Sequence, residues 1–85
     1  MDDPAVLPAP SRSLAGLRTG TTARVADVLG TDAMTIRLLE MGLTPGVIVR
    51  VAGRAPLGDP LELEVRGYRL SLRHAEAARV TITGP

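Results

Sequence analysis

The stretch Arg37-Leu38-Leu39-Glu40-Met41-Gly42-Leu43-Thr44-Pro45-Gly46-Val47-Ile48-Val49-Arg50-Val51 decides how this chain folds. Up to Met41 the apolar residues recur at helical spacing. From Val47 they alternate, Val47, Val49 and Val51 against Ile48, Arg50 and Ala52, which is the period of a strand with one buried side. The change falls on Gly-Leu-Thr-Pro-Gly. Gly42 suits the left-handed position that closes a helix, and Leu43 is then placed to fold back on Leu38. Pro45 stops the helix from continuing, and Gly46 releases the chain into a strand.

Upstream of this joint a helix is expected over residues 33–41, with Thr31 or Asp32 as its N-cap. Residues 22–29 read as a first strand carrying Val25 and Val28, bracketed by Gly20 and Gly30. Residues 1–13 hold Pro4, Pro8 and Pro10 and are expected to form a disordered Pro-rich tail. The folded domain then spans residues 14–83, with Leu14 and Leu17 as its first anchors.

Downstream, Leu61, Leu63 and Val65 alternate with Glu62, Glu64 and Arg66, and Tyr68, Leu70 and Leu72 with Arg69, Ser71 and Arg73. Val80 and Ile82 alternate with Arg79, Thr81 and Thr83. Pro56-Leu57-Gly58-Asp59-Pro60 is a hairpin loop whose prolines sit at strand ends. Gly67 has no turn residues around it and is expected to kink a strand at a barrel corner. Residues 74–78 make a short helical turn. The fold class is therefore mainly β: a small, strongly curved SH3-like β-barrel of about five strands with one inserted α-helix. An OB-like barrel is the alternative, although its helix usually comes later in the chain.

A chain of 85 residues makes one domain at most, and the absence of Cys removes disulfides and thiolate ligands. Tyr68 is the lone aromatic residue. An aromatic-lined groove for Pro-rich peptides needs more, and so does a stacking platform for single-stranded nucleic acid. A net charge of +1 with acids and bases interleaved also argues against a nucleic-acid partner. No apolar run approaches the roughly 20 residues that span a bilayer, and no signal peptide is evident. The chain is expected to be cytoplasmic and to meet a membrane only through a partner.

Catalytic chemistry is sparse. His74 is the single His, with Glu76 two residues on, and no positioned partner is evident for a general base. The glycines lack the Gly-Lys-Ser/Thr spacing of a phosphate loop. The chain reads as a non-enzyme without a cofactor. Fe(II) accepts imidazole and carboxylate ligands, and His74, Asp27, Asp32, Glu40, Asp59, Glu62, Glu64 and Glu76 are available. None of these forms a spaced cluster, so the metal ligands stay unassigned.

The helix carries the better candidate site. At about 100° per residue, Met34, Leu38 and Met41 fall on one side and Ile36 and Leu39 nearly opposite. One apolar stripe is enough for a surface helix. The second stripe is either covered by Leu14 and Leu17 or offered to another molecule. The latter reading makes Ile36 and Leu39, with Met34, Met41 and the loop residue Leu57, a docking surface for a partner or a second copy. Methionine suits such an adaptable contact.

Three segments resemble the FeoA family, the small component of bacterial ferrous iron uptake. They are the joint at residues 37–46, the loop Arg54-Ala55-Pro56-Leu57-Gly58-Asp59-Pro60, and the pair Val65-Arg66-Gly67-Tyr68-Arg69-Leu70-Ser71-Leu72-Arg73. The resemblance covers about residues 14–82. It implies an SH3-like barrel and a non-enzymatic accessory role, exercised by contact with the membrane Fe(II) permease and its G domain. The same module resembles the C-terminal domain of iron-dependent repressors of the diphtheria-toxin-repressor type. That likeness leaves an alternative, a metal-responsive regulatory domain with weak Fe(II) or Mn(II) binding.

Overall fold

The computed structural model describes residues 12–83. Most of the expected tail, residues 1–11, lies outside the described residues. Arg12 and Ser13 already engage the domain: the Ile82 N–H donates to the Arg12 carbonyl at 3.0 Å, and Ser13 bridges Thr81. A 3-10 turn, Leu14–Gly16, comes next, followed by β1 (Thr22–Val28), α1 (Ala33–Glu40), β2 (Ile48–Arg54), β3 (Leu61–Val65), β4 (Tyr68–Leu72), α2 (His74–Ala77) and β5 (Val80–Thr83).

Local chemistry sets both ends of α1. Asp32 is the N-cap, and its carboxylate accepts from the Thr35 N–H at 3.3 Å. At the other end Gly42 takes φ +103, its N–H donates to the Leu39 carbonyl, and the Leu43 N–H donates to the Leu38 carbonyl. This is the paired bonding of a Schellman ending. Leu38 and Leu43 meet fully buried, as their spacing predicts.

The five strands form one antiparallel sheet in the order β4-β3-β2-β1-β5. Register shifts interrupt two ladders, between Val25 and Asp27 in β1 and between Val51 and Gly53 in β2. Extra residues of this kind bend and twist a sheet locally. The sheet irregularities fall there and not at Gly67, which corrects the kink expected from the sequence. Val65 pairs directly with Tyr68, so Arg66 and Gly67 are the two central residues of a tight hairpin. Both have positive φ, 50° and 87°. This is the pattern of a type I′ turn, whose twist matches the strands it joins. An arginine in the first central position disguises it.

Inward rows from every strand fill the core. Val25, Val49, Val51, Leu61, Leu63, Val65, Leu72 and Val80 are buried, closed off by Leu14, Leu17, Leu38 and Leu43. Burying one such aliphatic side chain stabilises the fold by about 1.5–3 kcal/mol. Tyr68 departs from the apolar row it shares with Leu70 and Leu72. It lies exposed, and its hydroxyl donates to the Met41 carbonyl at 2.7 Å, fastening β4 to the end of α1. At the opposite end of β2, the Arg54 guanidinium donates to the carbonyls of Ala15 (3.1 Å) and Leu17, so the first turn is tied to the sheet.

Candidate functional site

The two stripes of α1 have different fates. Leu38 and Thr35 are buried, and Met34 and Met41 are partly buried against the core. Ile36 is 54% exposed and Leu39 36%. Leu14 and Leu17, the candidates to cover this stripe, lie in the core cluster instead. Ile36 and Leu39 are about 60° apart around the axis and share one outer face.

The five residues expected to make a docking surface thus divide. Ile36 and Leu39 stand together and outward. Met34 and Met41 belong to the inner side of the same helix. Leu57 is 95% exposed, on the loop between β2 and β3. α2 links that loop to α1: the His74 N–H donates to Asp59 at 3.0 Å, and Glu76 ion-pairs with Arg37. The Glu76 carboxylate is buried and also accepts from the Arg73 N–H at 2.9 Å. A buried carboxylate needs such partners.

Beside the start of α1, Arg79 meets Asp32 through two bonds, Nη1 to Oδ1 at 2.5 Å and Nη2 to Oδ2 at 2.8 Å. The Arg79 guanidinium holds the Asp32 carboxyl far below the usual carboxylate range, and Asp32 in turn raises Arg79. Thr35 completes the cluster by donating its hydroxyl to the Leu29 carbonyl at 2.8 Å. A shallow cleft there is lined by Leu29, Gly30, Thr31, Asp32, Ala78 and Arg79. Its two charged residues satisfy each other.

The carboxylates are similarly engaged. Glu64 pairs with Arg50 at 3.1 Å and lies 3.8 Å from Arg69. Glu62 accepts from the Ser71 hydroxyl, and Asp27 from the Val28 N–H at 2.8 Å. Among the described residues no three His, Cys, Asp or Glu side chains converge. Among them, too, no helix is long and apolar enough to cross a membrane.

Sequence reasoning missed one arrangement. Strand pairing sets Thr22, Arg50, Glu64 and Arg69 side by side across four strands. The next row joins Arg24 to Ile48. These residues lie far apart in the chain, and only the pairing register reveals them as neighbours.

The geometry is that of a small antiparallel barrel whose α1 carries an exposed apolar stripe. The chain belongs to the FeoA family, whose domain model matches residues 12–83. A Porphyromonas gingivalis protein described as a fusion of Fe(2+) transport protein A with the Fe(2+) transporter FeoB is 36% identical over 69 residues. That match takes in 81% of this chain but only 8% of the relative. The crystal structure of Stenotrophomonas maltophilia FeoA, a zinc complex described as an SH3 domain protein, superimposes with a TM-score of 0.77 at 35% identity. It covers 86% of this chain and 91% of that one. The SH3-like fold expected from the sequence is therefore the fold of the family. A manganese-dependent transcriptional repressor with its manganese superimposes at TM-score 0.81 over 93% of this chain and 39% of its own, at 21% identity, a likeness of fold alone.

Proposed function

We propose that this chain is a non-catalytic accessory of ferrous iron uptake that binds the membrane Fe(II) permease from the cytoplasmic side. The observation that carries the reading is the Porphyromonas gingivalis relative, in which a similar domain is joined covalently to the transporter. A covalent link replaces an encounter with a high effective concentration, which is useful where the two parts must meet. Joined or not, the meeting needs a surface on the domain. The outer face of α1 supplies it: Ile36 and Leu39 leave apolar area in water that a partner would cover. Leu57 offers further exposed apolar area on the β2–β3 loop, which α2 connects to α1 through the Asp59–His74 and Glu76–Arg37 contacts, while Met34 and Met41 back the helix from within and allow it to adjust.

The test is an NMR titration of the isotopically labelled chain with the detergent-solubilised permease. Line broadening centred on Ile36, Leu39 and Leu57 supports the docking surface. No perturbation at saturating partner concentration rejects it and shifts weight to metal-responsive regulation, which Fe(II) or Mn(II) titration would then address.

A further inference from the structure

β4 ends the sheet. A two-residue turn makes Val65 and Tyr68 the first bonded pair of the β3–β4 hairpin, so bonding alternates from there. Leu70 and Leu72 face β3 with their backbone groups. Arg69 and Ser71 turn theirs outward, and among the described residues nothing bonds to them. Such an edge is a template for a further strand.

The edge strand and its flanks also bear charge of one sign, while the carboxylates beside them on β3 are engaged, Glu62 by the Ser71 hydroxyl and Glu64 by Arg50 and Arg69. Arg66 stands in the turn before β4, Arg69 within it and Arg73 directly after it, and β4 itself holds no acid. Glu64 on β3 lies between Arg50 and Arg69, so one carboxylate serves two guanidinium groups. Side chains alternate across the edge: Arg69 and Ser71 are exposed on the outer face, and Leu70 is half-buried on the inner one. Two copies joining β4 to β4 would crowd these arginines against one another, which like charges oppose.

We infer that the β4 edge accepts an extended acidic segment of a partner protein as a sixth strand. The backbone of Arg69 and Ser71 supplies the ladder bonds. Carboxylates opposite Arg69, and near Arg66 and Arg73, give the charge complement, and an apolar residue between them covers Leu70. Main-chain pairing gives affinity and the alternating side chains give selectivity. This surface is separate from the α1 stripe and does not depend on the partner proposed for it.

The test uses the full labelled chain and two capped heptapeptides, one alternating Glu and Val, the other Lys and Val. The acidic peptide should shift the amides of residues 68–73, slow hydrogen exchange at Arg69 and Ser71, and bind more weakly as salt rises. Arg69→Glu should weaken that binding at least tenfold. Ser71→Pro removes an outward N–H, a change that edge strands tolerate, and should abolish binding while the remaining amide spectrum is kept. Equal binding of the Lys peptide, undiminished binding by Ser71→Pro, or shifts confined to Ile36 and Leu39 would each overturn the edge assignment. The last outcome would leave the α1 docking surface standing.

Discussion

Asp32 and Arg79 meet through both carboxylate oxygens, at 2.5 and 2.8 Å, so the cap of α1 is clasped by the residue that leads into β5. The carboxyl is held far below its ordinary value of 3.8. A group whose pKa is lowered by folding contributes stability that is present above the ordinary value and is lost as pH falls through the lowered one. The contribution should therefore be complete at neutral pH and decline below pH 3.8. Arg79→Ala should melt below the wild type at pH 7, and the gap between the two should close as pH falls. A gap that stays constant down to strong acid would disprove the coupling.

Ile36→Ser with Leu39→Ser removes apolar groups that the fold leaves in water. Surface changes of this kind cost little, within about 1 kcal/mol for the pair. The double variant should keep its melting transition and lose binding to the permease. Leu38→Ala, on the buried side of the same helix, should instead cost about 2–5 kcal/mol. Circular dichroism melts of the two variants distinguish the stripes directly.

Gly42 and Gly67 should respond differently to substitution. Gly67 has φ +87 and open space around an added Cβ, so Gly67→Val meets backbone strain alone, of order 1–3 kcal/mol. Gly42 has φ +103, and an added Cβ would sit 2.5 Å from the Tyr68 hydroxyl. Gly42→Ala should carry strain of similar order and also displace Tyr68 from the Met41 carbonyl. Combining Gly42→Ala with Tyr68→Ala should then cost less than the sum of the two separate losses in a thermal-melt cycle. Simple additivity would show that Tyr68 does not press on the joint.

Arg54→Ala should loosen the first turn without unfolding the barrel. Its guanidinium is the polar tie from β2 to Ala15 and Leu17. Hydrogen exchange should quicken at residues 14–17 before it does in β3. Uniform acceleration across the domain would mean that the tie belongs to the global fold.

How far the sequence could be read depended on the range of the interactions. The ending of α1 was legible because Leu38, Gly42 and Leu43 act within two turns of chain. Both apolar stripes of α1 were legible too, but which one faces water depended on where Leu14 and Leu17 pack, a matter of tertiary structure. Gly67 was misread because its partner in the turn is an arginine, a residue that seldom takes positive φ. The arginine-flanked row around Glu64 was hidden altogether. Arg50, Glu64 and Arg69 become neighbours only through strand register, which no local period encodes.

The pairing of Arg12 with Ile82 has one more consequence. Arg12, the first described residue, lies against Ile82, next to Thr83, the last one, so the two ends of the described domain sit together at one edge of the sheet. A domain whose two doors stand side by side can be spliced into a longer protein as a cassette, since the host chain departs almost where it arrived. Its core, its helix stripe and its β4 edge would be left untouched by the splice.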